Sequence, residues 1–120
     1  RMSFTAMGDG DATVRAAAVS AWREIRGQTS ASPVVALLSD SDTRVRAEAA
    51  TIVGAMTDVT GRQQLESLVA NDQDPFVRRN AAWALGKLGQ SASRDVLYAA
   101  MNDKSGLVRM TAKAALATLR

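Results

Sequence analysis

Asp72-Gln73-Asp74-Pro75-Phe76-Val77-Arg78-Arg79-Asn80-Ala81-Ala82-Trp83-Ala84-Leu85-Gly86-Lys87-Leu88-Gly89 is the stretch whose reading decides the fold. Asp74 before Pro75 marks a helix start. A carboxylate at the N-cap accepts a hydrogen bond from an amide of the first turn, and proline is preorganised for the first helical position. Val77, Ala81, Ala84, Leu85 and Leu88 then fall at offsets 0, 4, 7, 8 and 11, one apolar stripe at helical period. Gly89 is placed to close the helix in a left-handed cap.

The stretch occurs four times. Asp9 to Arg15, Asp40 to Arg46, Asp72 to Arg78 and Asp103 to Arg109 share one pattern, and their valines at 14, 45, 77 and 108 are 31, 32 and 31 residues apart. Ala18, Ala49, Ala81 and Ala112 follow each arginine by three, and offset eight is always apolar: Trp22, Val53, Leu85 and Leu116. A fixed period of this length with one apolar helical stripe per period is the signature of a stacked repeat. Each repeat also needs a first helix. Met2 to Met7, the run from Ser32-Pro33 to Leu38, the segment after Thr60-Gly61 with Leu65, Leu68 and Val69, and the segment capped by Ser93 supply the four candidates. The second helices are expected at about 12–26, 43–56, 75–88 and 106–119. No alternating strand signal of useful length interrupts them.

The pattern Asp-x-Asp-x-x-Val-Arg-x-x-Ala-x-x-Ala-Leu-Gly-x-Leu-Gly resembles the short HEAT-like repeat named after phycobilisome lyases, over essentially the whole chain. The resemblance implies an all-α fold, a right-handed α-solenoid of about four stacked helix pairs. Residues 1–120 form one domain on this reading, with repeats at about 1–27, 28–58, 59–90 and 91–120. Repeat one departs most, with Trp22-Arg23-Glu24-Ile25 where repeat three has Leu85-Gly86-Lys87-Leu88. The chain opens on Arg1 rather than Met, which fits a piece of a longer chain.

Composition narrows the chemistry. Of 120 residues, 47% are hydrophobic but only 4% aromatic, so the core is built from Ala, Val and Leu. Small alanines let short helices pack closely. There is no cysteine and no histidine, which removes disulfides, the common zinc ligands and the usual general base near neutral pH. The 15 basic and 12 acidic residues are interleaved, for a net charge of +3, without the clustered basic face of a nucleic-acid binder. No run of apolar residues is long enough to span a bilayer, and no secretory leader is evident. A soluble chain is expected, cytoplasmic by default.

Two sets of polar residues belong to the repeat itself. Asp11, Asp42, Asp74 and Ser105 stand where helix N-caps belong. Their Asp-x-Asp setting invites a calcium-loop reading, but serine in the fourth copy is a poor calcium ligand and no bidentate glutamate follows at loop spacing. Asp9, Asp40, Asp72 and Asp103 each precede an arginine, Arg15, Arg46, Arg78 and Arg109, by six. The resemblance implies a ladder of carboxylate–guanidinium bonds along the stack, which suits arginine's planar fork. Asp72 and Arg78 are expected to be coupled partners within it.

Offsets 2, 6 and 9 point away from the core stripe at 100° per residue. Most residues there are small, but Arg23, Arg79, Trp83 and Met110 stand above them. In solenoids the second helices typically line the concave side, and Trp and Arg dominate binding hot spots. These four are the candidate partner-binding residues, with inter-repeat packing the competing reading for Trp83. The expected function is a protein-interaction or scaffolding module without chemistry of its own. It serves a protein partner or a neighbouring domain, and no catalytic residues, metal or cofactor are assigned. A bilin-lyase-like or lyase-accessory role is the alternative the resemblance implies. Backbone-directed nucleic-acid binding is a third and is disfavoured by the charge pattern.

Overall fold

A computed structural model of the protein describes residues 4–8, 10–24 and 31–120. Among them, eight α-helical segments follow one another and no strand occurs. These are α1 (Phe4–Met7), α2 (Ala12–Arg23), α3 (Ser32–Val35), α4 (Thr43–Ala55), α5 (Arg62–Asn71), α6 (Pro75–Leu88), α7 (Arg94–Ala100) and α8 (Gly106–Leu116). Tight 3-10 turns extend α3 at Ala36–Ser39 and lead into α5 and α7 at Val59–Gly61 and Ser91–Ser93. The even-numbered helices pack side by side in one row, α2 on α4, α4 on α6 and α6 on α8. The odd-numbered helices from α3 onward form the other layer, each against the helix that follows it. The result is an α-solenoid, 40 Å along its longest axis.

The repeat's apolar register builds the core. Val45, Val77 and Val108 and all four repeat alanines are fully buried between the layers, with Val53 and Leu85 beside them. Val14 departs from the pattern and stays 37% exposed. Leu116 is only partly buried.

The helix ends follow local chemistry. Asp11, Asp42 and Asp74 accept hydrogen bonds from first-turn amides, those of Thr13, of Arg44 and Val45, and of Phe76 and Val77. Ser105 has the extended backbone of an N-cap, but its hydroxyl makes no capping bond. A carboxylate offers two acceptor oxygens on a longer arm, and serine has one on a short one. Ser93 likewise does not cap α7: its buried hydroxyl donates to Glu66 Oε2 at 2.8 Å, tying α7 to α5. Ser32 is the first residue of α3 rather than its cap, and Ala31 stands at the N-cap with its amide held by Asp58 at 3.1 Å. Gly89 closes α6 at φ 68°. Thr57, twelve residues after Val45 as Gly89 is after Val77, also takes a positive φ, of 49°.

Two glycines set the spacing of the second-helix row. A Cβ on Gly54 would lie 2.7 Å from Ala84 Cα, and one on Gly86 would lie 2.9 Å from Ala115 Cβ. Both glycines stand at offset 9 and meet an alanine at offset 7 of the next repeat, so backbone approaches backbone. At an open helix position, alanine for glycine stabilises by about 1 kcal/mol. Gly54→Ala is expected to do the reverse, lowering stability by about 1–2 kcal/mol in a denaturant titration, because overpacking outweighs propensity. A gain in stability would show that α4 and α6 are not in close contact.

Candidate functional site

Arginines of the second helices cross the junctions between repeats. Arg15 donates to both oxygens of Asp40, at 2.9 and 3.0 Å. Arg46 does the same with Asp72, at 2.8 and 3.3 Å, and Arg78 with Asp103, at 2.9 and 3.1 Å. The third guanidinium nitrogen turns back to its own repeat. Arg46 Nη1 reaches the carbonyls of Asp40 and Ser41, Arg78 Nη1 those of Asp72 and Gln73, and Arg109 Nη1 that of Asp103. The expected pairing of Asp72 with Arg78 through the carboxylate is therefore corrected. Arg78 binds the backbone of Asp72, whose carboxylate belongs to Arg46. Nη1 of Arg78 meets the carbonyl of the residue six before it, while Nε and Nη2 meet the carboxylate of the next repeat. Asp9 lies outside the described residues.

Each ladder carboxylate also fixes its turn. Asp40, Asp72 and Asp103 accept from the amides of Asp42, Asp74 and Ser105. Burial is the largest single influence on Asp40 and Asp103 and works to raise their pKa values. Hydrogen bonds from Arg15 or Arg78 and from the turn amides, with the arginine charges, together outweigh it and hold both carboxyls below the ordinary aspartate value.

The exposed face of the second helices keeps the expected offsets 2 and 6 and departs from the expectation at offset 9 on α4 and α6. Offset 9 is buried at Gly54 and Gly86, because each inner helix has second-helix neighbours on both sides as well as a first helix beneath it. On α6 the exposed or half-exposed positions beyond Pro75 are Phe76, Arg79, Asn80, Trp83 and Lys87, offsets −1, 2, 3, 6 and 10. Phe76 and Lys87 were missed because the opposite of the core stripe is not the opposite of all the packing. Of the four candidates, Arg79 and Trp83 share one face of α6. Met110 is 74% exposed on α8. Arg23 ends α2, and its side chain lies outside the described residues.

Trp83 does two things at once. It is 38% exposed, yet its ring edge lies 2.9 Å from where a Cβ of Gly54 would stand, so it covers the α4–α6 junction. A hollow of ≈ 220 Å³ lined by Thr51, Arg79, Asn80 and Trp83 opens on its α4 side. Another of ≈ 230 Å³ opens toward α8, against Gly86, Thr111, Ala114 and Thr118. Lys87 lies 5.8 Å from the Trp83 ring centre, and Arg79 lies 5.9 Å from that of Phe76. Asn80 steadies Arg79: its side chain donates to the Ala47 carbonyl of α4 at 3.2 Å and accepts from Arg79 Nε at 2.7 Å. Among the described residues no group of three acidic side chains is placed to hold a metal, and no helix is long and apolar enough to cross a membrane.

The sequence matches the HEAT-repeat family over residues 4–78 and 32–117. A bilin biosynthesis protein, MpeU of Synechococcus sp. (strain WH8020), is 39% identical over 97 residues, covering 77% of this chain and 32% of that protein. Deoxyhypusine hydroxylase-B of Oryza sativa subsp. japonica is 30% identical over 106 residues, 88% of this chain and 35% of that protein. The chain thus spans about a third of the length of the curated relatives it matches. Human deoxyhypusine hydroxylase, solved in complex with glycerol, superposes with a TM-score of 0.80 at 25% identity over 96% of this chain and 41% of that one. The CpcE–CpcF complex of phycocyanin lyase from Nostoc sp. PCC7120 shares the fold, with a TM-score of 0.73 at 24% identity over 97% of this chain and 75% of that one.

The expectation of a chain apart from any enzyme is overturned by these relatives, because deoxyhypusine hydroxylase, similar in sequence and in fold, is an enzyme. The missing histidine describes what these four repeats lack.

The ladder carries a pH signature. A carboxyl whose folded pKa is depressed stabilises the fold fully above its unfolded pKa, and that contribution is lost as pH falls through the folded value. For Asp40 and Asp103 the window lies below about pH 4. Melting temperature is therefore expected to drop on acidification through that window, and Asp103→Asn should make the drop shallower. An Asp103→Asn curve parallel to that of the parent would contradict the assignment.

Proposed function

The chain belongs to the HEAT-repeat family, and from that premise we propose that it is a segment of a longer protein-modifying enzyme, or of its accessory subunit, whose second-helix face holds the protein being modified. One observation carries the reading: Trp83, a half-exposed aromatic, stands between two hollows with Lys87 over its ring and Arg79 lining the hollow on its α4 side. A rigid aromatic ring beside a cation and a small pocket is the composition of a binding hot spot. The relatives support a place in an enzyme, one a hydroxylase and one a bilin biosynthesis protein.

A second reading is favoured by the 39% identity to the bilin biosynthesis protein, namely that the same face holds a bilin. Each hollow beside Trp83 falls below the roughly 300–1,000 Å³ of a small-molecule pocket, so a bilin would lie across both with Trp83 beneath it. The protein reading needs only one side chain per hollow.

A photo-reactive amino acid in place of Trp83, compared with the same group in place of the exposed Tyr98 on α7, tests the reading in extracts of the cells that carry the protein. Position 83 is expected to give a discrete protein adduct and position 98 none. Adducts from position 98 alone would move the binding face to the other layer. A shifted absorbance band on mixing with a bilin, lost in Trp83→Ala, would establish the second reading in place of the first.

A further inference from the structure

Charge is unevenly matched across the molecule. The buried arginines of the ladder have carboxylate partners, as do Arg44 and Arg62. Yet neither α6 nor α8 contains a single acidic residue. Beyond the ladder's Arg78 they carry Arg79, Lys87, Arg109 and Lys113, and among the described residues none of these four has a carboxylate within ion-pair distance. The cations of α6 are held in place, Arg79 by Asn80 and Lys87 over the Trp83 ring. A fixed cation surplus around an apolar floor is complementary to a carboxylate-bearing ligand.

Resting on the reading of this face as a protein-binding one, we infer that its partner is an extended acidic segment with the pattern acid–x–apolar–x–acid. Arg79, Trp83 and Lys87 are spaced by four, so they stand on one face of α6 and the two cations are about 12 Å apart along the axis. Four residues of extended chain cover about 13 Å, and side chains at i, i+2 and i+4 of such a chain point to the same side. The outer two place carboxylates at Arg79 and Lys87. The middle one places an apolar side chain beside Trp83, in the hollow of ≈ 230 Å³ against Gly86, Thr111, Ala114 and Thr118. Nucleic acid fits less well. Its affinity comes from a run of cations along a phosphate backbone, whereas here two cations flank an aromatic ring and a cavity of side-chain size.

Fluorescence anisotropy with labelled peptides of one length tests this. One carries Glu-Ser-Leu-Ser-Glu at its centre, one has lysine for both glutamates, and one has the two glutamates adjacent. A single-stranded DNA oligonucleotide of similar length is the fourth probe. The first peptide is expected to bind, the adjacent-acid peptide about tenfold more weakly, and the lysine peptide and the DNA more weakly still. The double variant R79Q/K87Q should lose about tenfold for the first peptide, with an unchanged circular dichroism spectrum. If that variant lost its fold, Lys87→Gln alone, at an exposed position, would serve the same comparison. No binding of the first peptide, equal binding of the lysine peptide, or tighter binding of the DNA overturns the inference. Cross-linking from position 83 without acidic-peptide binding removes the charge assignment and leaves the face standing, while failure of both removes the face as well.

Discussion

A guanidinium shared between two repeats is the interaction on which the stack depends. Taking an arginine and an aspartate out of water costs several kcal/mol per ion, and a lone contact does not recover it. Arg46 recovers it by spending its donors on both oxygens of Asp72, two backbone carbonyls and the Thr43 hydroxyl. Each carboxylate in turn holds the amide that begins the next helix. One residue pair therefore joins two repeats and shapes the turn of each. Lysine, with a point charge and no fork, offers no equivalent.

That arrangement decides which charges remain for binding. The turn aspartates are occupied by caps and by the ladder, Glu66 by Arg62 and Ser93, and Glu48 by Ser20. The second helices from α6 onward have no acids of their own. Stability and recognition thus draw on different arginines one residue apart: Arg78 is buried in the ladder, and Arg79 faces outward beside Trp83. The small residues that let α4, α6 and α8 approach also leave room around the Trp83 ring.

What was legible in the sequence was local or periodic. The valine register, the caps at Asp42 and Asp74, and the left-handed Gly89 all follow from residues within a few positions of one another, so the α-solenoid could be read before the structure. What was not legible depends on neighbours in space. The partner of Arg78 lies 25 residues away on the next repeat, and six-residue spacing within a repeat pointed to the wrong carboxylate. Gly54 and Gly86 looked like surface because a single-helix projection leaves out the helices on either side. Phe76 and Lys87 escaped for the same reason. The Ser93–Glu66 bond took a serine that reads equally well as a cap.

A double-mutant cycle on Arg78 measures the cross-junction bond directly. Arg78→Gln is combined with Asp103→Asn in one cycle and with Asp72→Asn in another, each followed by urea unfolding. The Arg78–Asp103 cycle is expected to show a coupling of about 2 kcal/mol, and the Arg78–Asp72 cycle less than about 0.5 kcal/mol, because only the Asp103 carboxylate meets the guanidinium. Strong coupling to Asp72 with additive losses at Asp103 would place the pairing inside each repeat and contradict a stack held together across its junctions.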